Sequence, residues 1–371
     1  MKLWAGTILL ALCLWGGSIE SALAFQGRAY MTVQEYVQVH PEQKALMERF
    51  SALVQKDGSP STNALARKPV TIAFVYPGEQ VSDYWRRSID SFKGRMDQIG
   101  IQYTLHQYFS KPVEDYRIQE QQIKTAIQHD PDYLVFTLDA QKHRRVIERL
   151  LTRGRPKIIL QNITTPLRAW EGKQPFLYVG FDHATGTEIL ARHYVEETGG
   201  QGDFAMLFFS QGYVSEMRGN TFVDYMKSHS KMVLKESYYT DGNKEKARLA
   251  TLEILNKWDV SFLYACSTDI ALGAVDALAE TGKTGEVLVN GWGGGSNELA
   301  AISKGDLDFT VMRMNDDNGV AMAEAIRLDL EGRPREVPTV FSGEFVLVKK
   351  GISQEKLQQL EEKAFRYSSI K

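Results

Sequence analysis

The stretch Phe74-Val-Tyr-Pro-Gly-Glu-Gln-Val-Ser-Asp-Tyr-Trp85 decides the fold, because it joins a strand to a helix through a short polar loop. The apolar run before Pro77 predicts a buried strand, and a helical pattern begins at the end of the stretch. The loop carries Gln80, Ser82 and Trp85: an amide, a hydroxyl and an indole. Ligands of open α/β sheets bind at the carboxyl ends of the strands. We therefore expect this loop to form one side of a binding pocket.

The same order of strand, polar loop and helix repeats along the chain in two tandem units. The first unit begins near residue 68 and runs to the glycine-rich segment Thr198-Gly-Gly-Gln-Gly-Asp203, and the second unit follows it. Repeated β-α patterns at this spacing predict parallel strands with helices on both faces of each sheet. We expect an α/β protein of two lobes, with one last strand over residues 340–348.

The composition of the 371-residue chain indicates an exported protein and gives no support for nucleic-acid binding. The formal net charge of −2 provides no attraction to a polyanion. Residues 1–24 are typical of a secretory signal, with Lys2 before an apolar core and small residues at the predicted cleavage site. We expect location in the periplasm, an N-terminal extension over residues 25–66, and no disulfide, because cleavage leaves Cys266 alone.

Polar side chains follow further strands of the first unit. Thr137 and Asp139 come after one apolar run, and Asn162 comes after the next. Each such residue alone is more often a turn or cap residue, and Ser82 or Asp83 fits a helix N-cap equally well. Polar residues at three strand ends of one sheet favour a ligand site over unrelated caps.

The second unit adds two arginines and a hydroxyl group in comparable positions. Arg218 lies early in a predicted helix, where its charge opposes the helix dipole, and Arg313 ends a strand. Thr268, or its neighbour Ser267, fits either a ligand contact or a helix cap. Two arginines facing one cleft favour an anion, or a ligand with several acceptor oxygens.

Motifs for catalysis, metal binding or nucleotide binding give no candidate. The seven histidines lack metal-ligand spacing, and no G-x-S-x-G is present. The segment Asn290-Gly-Trp-Gly-Gly-Gly-Ser296 lacks the last glycine of a dinucleotide loop, so we expect a flexible loop that presents Trp292. We therefore expect a binding protein and not an enzyme, without catalytic residues, metal or cofactor.

The two lobes and their strand-end residues resemble a known family. The tandem α/β units behind a secretory signal resemble the periplasmic sugar-binding proteins of the ribose-binding type. Within that family the strand-end residues look like those of the autoinducer-2 receptors of the LuxP type. The residues that carry this resemblance are Gln80, Ser82, Trp85, Thr137, Asp139, Asn162, Arg218, Thr268, Trp292 and Arg313.

The resemblance implies a two-lobed clamp with three hinge crossovers, which we place near Gly200, Arg313 and Arg335. It implies that the ten residues bind a furanosyl borate diester formed from a cyclised pentanedione, with two arginines neutralising the borate. It further implies a partner, the periplasmic domain of a membrane sensor histidine kinase of the LuxQ type. With these crossovers the first lobe comprises residues 67–200 and 314–335, and the second lobe residues 201–313 and 336–371.

Three alternatives stay open. A pentose- or hexose-binding component of an ABC transporter has the same fold, but more often carries an Asp-Arg pair where this chain has Asn162-Ile163. A transcription repressor of the same lobed fold needs an N-terminal helix-turn-helix, where this chain has the predicted signal. An enzyme needs a catalytic constellation, and the sequence marks none.

Overall fold

The computed structural model describes residues 29–61, 69–137 and 143–369. The predicted signal at residues 1–24 and the predicted site residue Asp139 lie outside these ranges. The described chain forms two six-stranded sheets, each flanked by helices. This architecture confirms the predicted α/β class and its two lobes.

The first sheet is parallel throughout and has the strand order β11-β5-β4-β3-β1-β2. Its central strands are buried on both faces, as parallel strands between helical layers are. The strands are β1 (Val70–Tyr76), β2 (Tyr103–Phe109), β3 (Tyr133–Phe136), β4 (Lys157–Gln161), β5 (Leu177–Phe181) and β11 (Val340–Gly343). The helices between these strands are α3 (Tyr84–Ile99), α4 (Tyr116–Gln128) and α5 (Arg144–Arg153).

The second sheet has the order β12-β10-β9-β8-β6-β7, and only β12 runs antiparallel to its neighbour. Its strands are β6 (Asp203–Phe208), β7 (Val233–Tyr239), β8 (Phe262–Ala265), β9 (Leu288–Gly293), β10 (Phe309–Arg313) and β12 (Phe345–Lys349). The helices that follow β5 and the strands of this sheet are α6 (His183–Thr198), α7 (Thr221–His229), α8 (Lys244–Lys257), α9 (Thr268–Glu280), α10 (Ser296–Lys304), α11 (Asp317–Leu330) and α12 (Gln354–Ala364).

The chain passes between the two sheets three times, but two of the passages differ from the predicted places. Helix α6 packs against β10 and β12 of the second sheet, so the first passage precedes His183 and does not lie near Gly200. The glycines there end the helix, with Gly199 in the left-handed conformation at φ 61°. The second passage follows Arg313, as predicted, since α11 packs against α3.

The third passage lies at Glu344 and not near Arg335. The single strand predicted over residues 340–348 is two strands, of which β11 joins the first sheet and β12 the second. An apolar run alone does not reveal which sheet will pair with it, because that choice depends on distant strands. The exact domain boundaries stay a prediction.

The N-terminal extension forms two helices against the first lobe, α1 (Val33–Val39) and α2 (Glu42–Gln55). Pro41 separates the two helices, because proline removes a helical hydrogen bond. Arg168 donates to Glu35 over 2.6 Å and fixes α1 to the lobe. Within the described ranges, no helix is both long and apolar enough to cross a bilayer.

Candidate functional site

The carboxyl ends of both sheets face one another across a small cavity. The volume of this cavity is about 50 Å³. The lining combines aromatic rings, hydroxyl groups, amides and two guanidinium groups, the composition expected of a small-molecule site. The lining residues that the sequence predicted are Gln80, Ser82, Trp85, Asn162, Arg218, Thr268, Trp292 and Arg313.

The loop after β1 presents its side chains to this cavity and to the opposite lobe. Trp85 is 3% exposed, and its ring lies 4.6 Å from that of Tyr76. Asp83 stands at the N-cap position of α3 but makes no capping hydrogen bond. Its carboxylate instead accepts hydrogen bonds from the Ser296 hydroxyl at 2.8 Å and backbone amide at 3.3 Å. Asp83 is therefore the N-cap residue by position, but its side chain bonds the second lobe and caps no amide of the helix.

Arg218 lies in a π-helical turn, Ser215–Asn220, where the sequence predicted a regular α-helix. Such turns concentrate at functional sites. One terminal nitrogen of Arg218 donates to the carbonyl of Cys266 at 2.7 Å, and the guanidinium carbon lies 3.5 Å from the centre of the Trp292 ring. These contacts hold a 4%-exposed cation flat against an aromatic face.

Arg313 ends β10 at the hinge and is buried without a hydrogen bond or ion pair among the described residues. Its guanidinium carbon lies 4.1 Å from the centre of the Tyr84 ring. Burial lowers the pKa of Arg313, and the nearest charged groups offset this only in part. A Cβ at Gly293 would fall 2.1 Å from an Arg313 terminal nitrogen and would displace the guanidinium, and the φ of 135° also favours glycine there.

The glycine-rich segment after β9 does not form the flexible loop that the sequence predicted. Trp292 lies within β9 and is fully buried. The buried carboxylate of Glu298 accepts hydrogen bonds from the amides of Trp292 at 3.0 Å and Gly294 at 2.8 Å, and from the hydroxyl of Thr310 at 2.6 Å. Because Glu298 occupies the amides that could cradle a phosphate, the segment is a rigid support for Trp292.

Asn162 and His183 meet at the hinge below the cavity. Asn162 adopts a left-handed backbone, with φ at 70°, a conformation that asparagine adopts more readily than most non-glycine residues. His183 Nε2 lies 3.2 Å from Asn162 Oδ1, and His183 Nδ1 lies 3.4 Å from Arg218 Nε. Burial and then the charges of Arg218 and Arg313 hold the pKa of His183 well below its usual value, so the ring is neutral.

The two lobes are in direct contact at the mouth of the cavity. Asp269, in the first turn of α9, accepts hydrogen bonds from the backbone amides of Val81 at 2.9 Å and Ser82 at 3.3 Å. Burial raises the pKa of Asp269, and these two hydrogen bonds oppose the rise. Arg87 donates to the hydroxyl of Ser296 over 2.7 Å. The lobes are therefore closed on each other around the cavity.

Of the other predicted residues, Thr137 does not line the cavity that the described residues form. Thr137 is buried, and its hydroxyl has no hydrogen-bond partner among the described residues. Asp139 lies outside the described ranges. Cys266 is buried, as expected, and burial raises the pKa of its thiol to about 12. The structure thus brings eight of the ten residues together, and their role as ligand contacts stays a prediction.

Sequence reasoning missed three residues of the site. Tyr84 lies beside Trp85 in the quoted stretch, and its ring covers Arg313. The sequence prediction included only the indole of Trp85. Asp269 ends the motif Cys266-Ser-Thr-Asp269, and its partners are backbone amides that no pattern marks. His183 follows Asp182 at the end of β5, the same strand-end position that identified Asn162.

Two α/β lobes that close on a small polar cavity define the chain as a two-lobed binding protein. A family model described as a periplasmic binding protein domain matches residues 72–334. The chain therefore belongs to the periplasmic binding protein family.

Relatives of this chain are described as sugar-binding proteins. The D-allose-binding periplasmic protein of Escherichia coli (strain K12) is 29% identical over 149 residues, which are 40% of this chain and 48% of that protein. The match thus spans about half the length of this curated relative. A periplasmic solute-binding protein of an ABC transporter from Actinobacillus succinogenes 130z, solved with D-allose, is 21% identical with a TM-score of 0.67, and the alignment covers 76% of this chain and 98% of that one.

A further structural neighbour is described as the XylFII-LytSN complex. It is 16% identical with a TM-score of 0.65, and the alignment covers 76% of this chain and 98% of that one. At these identities the solved structures confirm the fold alone.

Proposed function

We propose that the chain binds a small, cyclic, negatively charged polyol between its lobes, and that this ligand is the furanosyl borate diester autoinducer-2. The observation that carries the proposal is Arg313, a buried guanidinium without a hydrogen bond or ion pair in the described part of the chain. A buried charge without a partner costs several kcal/mol. A ligand that brings an anionic oxygen to Arg313 removes this cost on binding.

The arrangement of the second arginine supports the same ligand class. Arg218 lines the cavity on the side of the Trp292 ring, so two guanidinium groups face one small volume. Each charge-assisted hydrogen bond contributes about 1.5–3 kcal/mol. Two such bonds to a tetrahedral borate distinguish its ester from a neutral sugar that is otherwise of the same shape.

Lobe closure supplies the signal in this proposal. The ligand contacts both lobes and therefore stabilises the closed arrangement by its difference in affinity for the two states. We propose the periplasmic domain of a sensor histidine kinase as the partner that senses this closure. The neighbour described as the XylFII-LytSN complex supports the idea that this fold meets a second protein.

A neutral-sugar carrier for an ABC transporter is the second candidate. Its support is the relative described as D-allose-binding and the structural neighbour solved with D-allose. In that case hydroxyl groups of the sugar meet Arg313 as neutral acceptors, and the buried charge stays uncompensated. The two candidates therefore differ in the charge of the ligand.

Calorimetric titration of the ligand-free protein, refolded from denaturant, separates the candidates. The titrants are the cyclised pentanedione with borate, the same compound in borate-free buffer, and D-allose. We expect the borate ester to bind at least tenfold more tightly than either neutral compound. Equal or tighter binding of D-allose contradicts the proposal and supports the carrier.

A further inference from the structure

His183 connects the two lobes beneath the cavity, although it does not line the cavity itself. It is the first residue of α6, where the chain passes from the first sheet to the second, and it is fully buried. Its ring nitrogens meet Asn162 from the first lobe and Arg218 from the second. Its ring centre also lies 5.1 Å from that of Trp292.

The hydrogen-bonding capacity of the neighbours fixes the tautomer of His183. Arg218 Nε donates to His183 Nδ1 over 3.4 Å, and this directed contact places the lone pair on Nδ1. The proton then lies on Nε2, which donates to Asn162 Oδ1 at 3.2 Å. Nε2 also lies 3.2 Å from a terminal nitrogen of Arg218, but with the proton on Nε2 both atoms carry hydrogen and this contact is not a hydrogen bond. The opposite tautomer sets Nδ1–H against Arg218 Nε–H and leaves the Asn162 oxygen without this donor.

The orientation of Asn162 follows from that assignment. Because Asn162 Oδ1 accepts from His183, the amide nitrogen of Asn162 is the group that remains for the cavity. The guanidinium carbons of Arg218 and Arg313 lie 3.5 and 5.6 Å from the centre of the Trp292 ring, both groups line the cavity, and they too can only donate. This corner of the cavity therefore offers donors and no acceptor from these three side chains.

We propose that His183 is a positioning residue that makes the hinge corner of the cavity an all-donor surface and so selects ligands with acceptor oxygens there. It does so by holding the Asn162 amide and the Arg218 guanidinium at the same time, one from each lobe. The inference rests on the proposed function, since an anionic ester places its acceptor oxygens against this corner. Its neutral ring adds no third positive charge beside Arg218 and Arg313, consistent with the lowered pKa of His183.

Four variants test this role. In His183→Gln the side chain can still accept from Arg218 and donate to Asn162. In His183→Leu the side chain can do neither. In His183→Asn the side chain is too short to reach both partners. His193→Leu is the matched control, because His193 is a buried histidine of the same helix that bonds no cavity residue and lies near Glu196 and Glu197. Each variant is measured for thermal stability without ligand and for calorimetric affinity.

We expect His183→Leu and His183→Asn to bind the borate ester at least tenfold more weakly, and His183→Gln to stay within about threefold of wild type. His193→Leu is expected to lose stability without losing affinity. If His183→Gln binds as weakly as His183→Leu, or if both Leu and Asn variants bind normally, the positioning role is wrong. His183→Asn carries the test if the Leu variant does not fold.

A ligand-free measurement separates failure of this inference from failure of the proposed function. The fluorescence of Trp292 is obtained as the difference between each protein and the same protein with Trp292→Phe. This fluorescence depends on the position of the Arg218 guanidinium, whose carbon lies 3.5 Å from the centre of the Trp292 ring. We expect the Trp292 fluorescence of the ligand-free protein to change in His183→Leu and to stay as in the wild type in His183→Gln, whatever ligand binds. An unchanged signal in His183→Leu contradicts the positioning of Arg218. Failure of the wild-type protein to bind the ester contradicts the proposed function instead.

Discussion

At the scale of single residues, the site depends on a charge that the fold alone does not stabilise. Arg95 is a buried arginine whose terminal nitrogen donates to the Val54 carbonyl, and its Nε lies 3.6 Å from a Glu324 carboxylate oxygen. Arg313 has no such partner within the described ranges and contacts aromatic rings instead. A fold stabilised for its own sake would bury a methionine or leucine at this position. The unpartnered charge is the group that the proposed ligand would stabilise.

This contrast gives opposite predictions for two arginines. Arg313→Met is expected to raise the free energy of unfolding of the ligand-free protein by about 1–3 kcal/mol, because it removes a buried unpaired charge. The same change is expected to weaken binding of the borate ester more than tenfold. Arg95→Met, the control, is expected to lower stability and leave affinity unchanged. Urea unfolding and calorimetry measure both effects, and near wild-type affinity in folded Arg313→Met contradicts the role of the arginine.

The sequence predicted the side chains at strand ends better than those that support them. Asn162 and Arg313 follow apolar runs directly, and parallel strands bring their carboxyl ends to one edge. The supporting groups Asp269 and His183 act on backbone amides or on other side chains, and these pairings join residues far apart in the chain. No local pattern encodes such partners.

At the scale of elements, the N-termini of α3, α9 and α10 meet at the mouth of the cavity. Asp83 from the first lobe bonds Ser296 at the start of α10, and Asp269 at the start of α9 bonds the loop before α3. A carboxylate near a helix N-terminus is favoured by the helix dipole. These contacts join the lobes without ligand, so they set the balance between open and closed forms.

Replacement of the two carboxylates is expected to shift this balance toward the open form. In Asp83→Asn and Asp269→Asn the charge-assisted hydrogen bonds across the cleft become neutral and weaker. Small-angle X-ray scattering of the ligand-free proteins is expected to show a larger radius of gyration than wild type. Asp90→Asn on the exposed part of α3 is the control. An unchanged radius in the double variant Asp83→Asn/Asp269→Asn contradicts the role of these contacts in closure.

The start of α11 gives a pH dependence of stability. Burial raises the pKa of Asp317 from 3.8 to about 6, against the opposing charge of Arg366. The native state therefore holds a proton that the unfolded chain releases between these two values, so stability falls as pH rises through the window. Relative to Asp317→Asn, the wild type is expected to lose roughly 1–3 kcal/mol between pH 4 and 7. Parallel pH profiles of the two proteins contradict the raised pKa.

Element types were easier to predict than element pairing. The β-α alternation is a local pattern, and the described strands and helices largely follow it. The division of residues 340–348 at Glu344 depends on which sheet edge each half reaches, and the π-helical turn at Arg218 depends on packing around the cavity. Both features are set by tertiary contacts.

At the scale of the whole molecule, two lobes and a hinge follow from the repeated pattern, while the routes between the lobes do not. The first crossing precedes His183, so the helix that carries this residue belongs with the second sheet. Residues of both lobes and of the hinge therefore contact one another around the cavity. Binding of a ligand in this cavity and closure of the two lobes are therefore coupled, and each favours the other.

Boron nuclear magnetic resonance of the released ligand tests the central claim most directly. The protein is purified from the periplasm of cells grown with borate, denatured, and freed of polypeptide, and Arg313→Met prepared in parallel is the control. We expect a tetrahedral borate-ester signal from the wild-type protein before denaturation. Denaturation is expected to release boron in about equal molar amount to the wild-type protein. The Arg313→Met protein is expected to release no boron above background. A stoichiometric boron-free sugar in the wild-type sample contradicts the account and identifies the chain as a carrier of neutral sugars.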